Sequence, residues 1–289
     1  MNVFSLFDYL ASVDTAQAGP APRRALLHQL GRAAAAALPL GVLSTAPAAA
    51  STLASLDQLA LLLRLEYTQR AFYTQALAST ALGLSGSLRD DVVRLQSQQQ
   101  QHIDFLNQAL LNSGVTPPTP AATYNFSGSR TGSILFPNAL TTEAGFLELA
   151  QQLEDAGVRI YLGQLSLLTA DRPLLGGVQR LATVESRHAA HLRTLRRRRG
   201  AQVKGWPSAA DLVPTYPVQF TTQATTPAST GTVYSGEATE QQFLSGYRQV
   251  PFTALLIGTY IVQSTAIAEA FDEPMVTQDA ISLLNIFSA

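Results

Sequence analysis

Cysteine is absent from this 289-residue chain, which excludes disulfide staples, thiolate metal sites and cysteine nucleophiles together. Charge is scarce: Asp, Glu, Lys and Arg make up 13% of the residues and the net charge is −1. That balance offers no polyanion-binding face, and no nucleic-acid partner is expected. The one basic cluster, Arg193 to Arg199, reads as a solvated helix end, where cations oppose the negative dipole. Uninterrupted apolar runs are also missing. Ala33–Leu43 is shorter than the ~20 residues a bilayer span needs. Phe252–Phe271 is broken by Thr253, Gly258, Gln263, Ser264 and Glu269, and reads as a buried segment. No membrane span is therefore expected in the mature chain.

Residues 1–50 have the order of a twin-arginine export signal, which places the protein in the periplasm or outside the cell. Pro22-Arg23-Arg24-Ala25-Leu26-Leu27 precedes the Ala/Leu stretch, and Ala46-Pro47-Ala48 or Ala48-Ala49-Ala50 supplies a small-x-small cleavage pattern. The other reading is an Ala-rich linker behind a small helix at Val3–Val13.

Residues 51–200 contain four segments of helical periodicity, expected at Thr52–Ala81, Leu88–Asn112, Thr141 or Thr142 to Thr169, and Pro173–Gly200. The last should break or bend at Gly176-Gly177. The first pair and the last pair have short connections, so each is an antiparallel hairpin. Between the hairpins lies a Pro/Thr/Ser/Gly-rich link from Gly114 to Leu140. A helix of ~26 residues is about 39 Å long, and an extended link of that size reaches about 85 Å. The link can therefore return along the whole bundle, and only a bundle of two parallel-joined hairpins needs one that long. Residues 201–289 read as an irregular segment wrapped on the bundle, with short strands near Val218–Thr222. A fifth helix should run from Thr277 to Phe287, capped by Thr277, with Ile281, Leu284 and Phe287 facing inward.

The two hairpins repeat each other. Leu65-Glu66, Tyr73 and Leu77 are followed by Leu95, Gln99, His102 and Leu106; Leu153-Glu154, Tyr161 and Leu165 by Leu181, Glu185, His188 and Leu192. Glu66 and His102 are 36 positions apart, Glu154 and His188 34. A Glu from one helix and Glu-x-x-His from the next, twice over, is how two-metal carboxylate sites are built inside four-helix bundles. The i, i+3 spacing puts Gln99 beside His102 and Glu185 beside His188. Glu66, Gln99, His102, Glu154, Glu185 and His188 are the candidate metal ligands. Their neighbours one and two turns away are apolar, so these groups face the core. Burying uncompensated carboxylates costs several kcal/mol each, and Arg70 is the only internal cation the pattern offers. Two solutions meet that cost: a divalent metal neutralises the acids, or some are protonated and hydrogen-bonded to Tyr73, Tyr161 and the histidines. Oxygen and imidazole donors without sulfur suit Fe or Mn, one ion or two, with Zn also admissible. His191 is expected at the surface or behind the ligands.

With these motifs in hand, the chain resembles the ferritin-like superfamily, and within it exported bacterial proteins related to the plant desiccation-related proteins. The resemblance runs from Leu53 to Phe287 and rests on Leu65-Glu66-Tyr67 with Tyr73, Gln101-His102-Ile103-Asp104-Phe105-Leu106, Leu153-Glu154-Asp155 with Tyr161, Glu185-Ser186-Arg187-His188, and the tail Glu269-Ala270-Phe271-Asp272-Glu273-Pro274. It implies an all-α, ferritin-like four-helix bundle and a non-haem di-iron or related centre held by Glu66, His102, Glu154, Glu185 and His188. Gln99 departs from the pattern. The half made by Glu154, Glu185 and His188 is then complete, and the half made by Glu66, Gln99 and His102 is partial. Two functions follow. One is a metal-dependent oxidoreductase acting on O2 or peroxide. The other is a non-catalytic envelope protein of stress or desiccation with a degenerate site. Iron storage is disfavoured, because the segment at 201–289 would obstruct a closed shell; a smaller oligomer is compatible with the sequence.

Overall fold

The computed structural model describes residues 53–129, 132–169, 171–208, 211, 213–218, 229–234, 241–244, 248–251, 269–270 and 272–288. The export signal expected at 1–50 lies outside them, as do residues 219–222 of the expected strand and 252–268 and 271 of the expected buried segment. Four long helices form the bundle: α1 (Leu53–Ala78), α2 (Gly86–Asn112), α3 (Glu143–Leu165, extended by a 3-10 turn at Ser166–Leu168) and α4 (Arg172–Arg198). Two small antiparallel pairs follow, β1 (Tyr216–Val218) with β2 (Ser229–Gly231) and β3 (Gln241–Leu244) with β4 (Arg248–Pro251); α5 (Thr277–Asn285) comes last. No helix among the described residues is long and apolar enough to cross a membrane.

The helix ends explain the hairpins. Thr142 caps α3 by accepting from Gly145 N–H at 3.1 Å, and Asp171 caps α4 by accepting from Leu174 N–H at 3.0 Å. At the other ends, Gly114 and Gly200 take left-handed φ of 76° and 87°. The turn lets Val115 N–H return to Leu110 O at 3.0 Å, and Ala201 N–H to Arg196 O at 3.1 Å. Each glycine stands twelve residues after its histidine, His102 or His188, so the repeat extends to its stop signals.

The link between α2 and α3 returns along the bundle, held by aromatic packing. Phe126 is buried, with ring centroids 4.9 Å from Phe72 and 5.7 Å from Phe287. Asn125 N–H donates to Phe287 O at 2.8 Å. With this return, α1 and α3 run antiparallel: Tyr73 meets Glu154, and Tyr161 meets Glu66. This is the topology the long link predicts.

Helix α3 is buried on nearly every side, from Leu149 without interruption to Tyr161. One face looks into the bundle and the other is covered by the later chain. Met275 N–H donates to Arg159 O at 2.9 Å, and Arg159 Nε to Glu273 O at 2.7 Å. Close approach needs Gly163, where an added Cβ would sit 2.0 Å from Met275 O. Arg193 is buried against Asp155 at 2.6 Å and Asp211 at 2.8 Å, and the Tyr234 hydroxyl donates to Asp155 at 2.6 Å.

Four expectations are corrected. Arg193 is not part of a solvated helix end; it ties the later chain to α3. Helix α4 runs unbroken through Gly176-Gly177, because Gly177 is a contact point: a Cβ there would stand 2.3 Å from the Phe105 ring. Thr277 is the first residue of α5 rather than its cap, and its hydroxyl donates to Gln164 Oε1 at 3.2 Å. Arg70 is exposed, and among the described contacts Glu66, Glu154 and Glu185 have no arginine partner.

Candidate metal centre

Glu66 on α1, Gln99 and His102 on α2, Glu154 on α3, and Glu185 and His188 on α4 meet at one level of the bundle, all buried. His102 Nδ1 lies 3.2 Å from Glu66 Oε2 and 3.1 Å from Glu185 Oε1. His188 Nδ1 lies 3.2 Å from Glu154 Oε2 and 3.5 Å from that same Glu185 Oε1. Two groups of potential ligands result, Glu66–His102–Glu185 and Glu154–Glu185–His188, with ligand atoms within 4.8 Å of one another in each. Glu185 belongs to both. The division expected from sequence therefore changes: the first half is completed by Glu185 across the bundle, not by Gln99. Gln99 turns to Glu154 instead and donates to its Oε1 at 3.2 Å.

Around these groups stands a ring of donors. The Tyr73 hydroxyl donates to Glu154 Oε1, and the Tyr161 hydroxyl to Glu66 Oε1. Gln69 Nε2 donates to Glu185 Oε2 at 2.9 Å. His188 Nε2 lies 2.7 Å from Gln98 Oε1. An amide oxygen only accepts, so Nε2 carries a proton and Nδ1 is the nitrogen left facing Glu154 and Glu185, the one a metal would take once its proton is lost. At the counterpart of Gln98 in the second repeat stands Val184, which offers no acceptor.

Electrostatics show how the cluster persists without an arginine. Burial, then the charge of Glu185, pushes the Glu66 carboxyl up to about 7 and that of Glu154 to about 8. Burial also works to raise Glu185, but bonds from both histidines outweigh it and hold that carboxyl far below its usual range. Burial disfavours charge on the imidazoles, yet Glu185 and Glu66 carry His102 up to about 10, and Glu154 and Glu185 carry His188 up to about 10. Both tyrosines are pushed well above their ordinary value by burial and the neighbouring carboxylates, so they remain donors. Protons thus do the neutralising in the free protein, in the positions a metal would take.

The donor set fits a divalent cation. Glu185 Oε1 faces the Nδ1 atoms of both histidines, and the amide oxygens of Gln69 and Gln99 are buried with no hydrogen-bond partner among the described residues. Buried acceptors left this way are costly unless something electropositive or a proton donor meets them. Carboxylate and imidazole donors are those that Fe and Mn accept.

Two of these contacts escaped the sequence reading. Gln69 follows Glu66 by three, a same-face spacing that marks it as internal. Gln98 was hidden in the run Gln98–Gln101, which resembles a solvated face. His191 is at the surface, 3.1 Å from Asp91. A model of the ferritin-like domain matches residues 54–198. Comparison with curated proteins gave no match.

Proposed function

The chain belongs to the ferritin-like domain family, and from that premise we propose that its core holds a pair of Fe or Mn ions and reacts with O2 or peroxide. The observation that carries this reading is the sharing of Glu185 between two buried Glu–His groups. Glu66 and His102 would hold one ion, Glu154 and His188 the other, and Glu185 both. When bound, such ions would supply electrons for reducing O2 or peroxide.

The protein's own part is positioning and exclusion. Gln98 sets the His188 tautomer, and Tyr73 and Tyr161 orient the two outer carboxylates. Leu62, Leu106 and Leu192, fully buried on three of the four helices, keep bulk water from the acids. Three carboxylates against two divalent ions leave one positive charge, which a hydroxide or a second anion would cancel.

A second reading, a non-catalytic envelope protein of the desiccation-related kind, draws support from Gln99 in place of a fourth carboxylate. Export through the N-terminal twin-arginine segment belongs to either reading. Anaerobic Fe(II) titration followed by admission of O2 separates them. Two ions per chain and oxidation well above the protein-free rate support the oxidoreductase. Tight binding with background oxidation supports the second reading, and no bound metal removes the centre altogether.

A further inference from the structure

The two oxygens of Glu185 have different surroundings. Oε1 lies between the imidazoles, 3.1 Å from His102 Nδ1 and 3.5 Å from His188 Nδ1. Oε2 accepts from Gln69 Nε2 at 2.9 Å. The amide reaches it from α1 through a gap in the side of α3. Gly157 is that gap: an added Cβ would stand 2.8 Å from Gln69 Nε2 and 2.9 Å from Glu185 Oε2, closer than such atoms approach. The same nitrogen also donates to Leu153 O at 3.2 Å, the carbonyl that helical pairing assigns to the N–H of residue 157. Two anchors on two helices fix the amide.

The repeat gives this arrangement its meaning. Gln69 follows Glu66 by three positions, and Gly157 follows Glu154 by three. Equivalent places in the two halves therefore carry a long amide and no side chain, and one fills the space the other leaves. Packing alone does not ask for this pair, because an apolar side chain would fill the gap without burying an amide oxygen that lacks a partner.

We infer that Gln69, admitted by Gly157, is a positioning residue for the shared carboxylate: it holds Glu185 Oε2 and leaves Oε1 as the oxygen offered to both metal positions. The inference rests on the two-ion reading above. A carboxylate bridging through one oxygen brings two cations closer than one bridging through both. Without the amide, Oε2 is free to take one of the ions.

Anaerobic Co(II) titration and the Co–Co separation from X-ray absorption test this in the wild type, Gln69→Leu and Gly157→Ala. Gln69→Leu removes the amide at similar volume. Gly157→Ala keeps the amide but displaces it, while favouring the helix itself, so one variant covers for the other if folding suffers. The expected result is two ions in each protein, a longer separation in both variants, and roughly 10–100-fold weaker binding of the second ion. Unchanged separation and affinity in a variant with wild-type circular dichroism overturn the role of Gln69 and leave the centre standing. A wild type that binds no Co(II) overturns the centre and this inference together. A purely structural Gln69 would lower the melting temperature without moving the separation.

Discussion

Glu185 Oε1 lies 3.1 Å from His102 Nδ1, although the two residues belong to different hairpins. The repeat supplies two similar Glu–His units, and among the described residues Glu185 is the carboxylate common to both. Loss of Glu185 should therefore cost both metal positions. Loss of Glu66 should cost one, because Glu154, Glu185 and His188 still converge. Metal analysis after equilibrium dialysis against Mn(II) is expected to give no ion per chain for Glu185→Ala and one for Glu66→Ala. Equal losses in the two variants would contradict the sharing.

Stability and metal binding should depend on pH in opposite directions. The carboxyls of Glu66 and Glu154 titrate near 7 and 8 in the fold, above the ordinary 4.5. Between those values the native state binds more protons than the unfolded one, so stability falls as pH rises. His102 and His188, raised from 6.5 to about 10, extend the same fall upward: their contribution is full below the unfolded value and gone above 10. Glu185, held low, contributes above its unfolded value and loses that contribution in acid. The metal-free protein should be most stable near about pH 5 and weaken toward about pH 9. Metal requires these groups unprotonated and displaces their protons on binding, so its affinity rises with pH. Melting curves with and without Mn(II) across this range should diverge as pH rises; a constant difference would contradict the assignment.

The paired Glu and Glu-x-x-His spacings made the bundle legible before any coordinates, and the length of the second connection distinguished its topology. At Gln99 the spacing gave the place but not the contact. The residue is in register with Glu185, but an amide donates where a carboxylate accepts, so it turns to Glu154 rather than to the histidines. The burial of Arg193 was not legible either. Its partners Asp155, Asp211 and Tyr234 are scattered over the sequence, and a run of arginines at a helix end has a sufficient local explanation in the helix dipole. Gln69 and Gly157 could be matched only by aligning the repeat beyond its charged positions.

Gln98 has a defined task that activity alone would not reveal. Its oxygen, 2.7 Å from His188 Nε2, fixes the ring proton on the outer nitrogen. In Gln98→Ala that preference is lost at His188 only, because His102 has Val184 at the matching place. Affinity for one of the two ions should fall about 10–100-fold, with the other unchanged, read as two separated phases in a Co(II) titration. A uniform fall at both positions would mean the amide acts through the bundle as a whole.

Replacing Gln99 by Glu supplies the fourth carboxylate that the duplicated motif calls for. Four carboxylates balance two divalent ions, whereas three leave a positive charge, so the second ion should bind more tightly. The free protein should move the other way. Glu154 already titrates near 8 because of burial and Glu185, and a carboxyl placed where Gln99 donates at 3.2 Å would add repulsion or demand another proton. Gln99→Glu is thus expected to melt lower than wild type without metal and higher with saturating Mn(II). Lower melting in both states would show that position 99 serves the hydrogen bond to Glu154 and not the charge of the centre.

Arg193 carries the last prediction, and it concerns the fold rather than the site. Asp155 follows Glu154 directly but faces away from the cluster, into the contact with Arg193 and Tyr234. Arg193 and Asp155 are almost wholly buried, so removing the guanidinium strands two carboxylates, Asp155 and Asp211. Arg193→Met should lower stability by about 3–5 kcal/mol, because an uncompensated buried charge costs more than the pair contributed. Adding Asp155→Leu removes one stranded charge and should recover part of the loss, a non-additivity that a double-mutant cycle reads directly. Metal stoichiometry should be the same in all of these variants, since Glu66, His102, Glu154, Glu185 and His188 make no hydrogen bond or ion pair with this network among the described contacts. Loss of metal in Arg193→Met, at a temperature where the protein remains folded, would show instead that the outer chain and the centre form one cooperative unit.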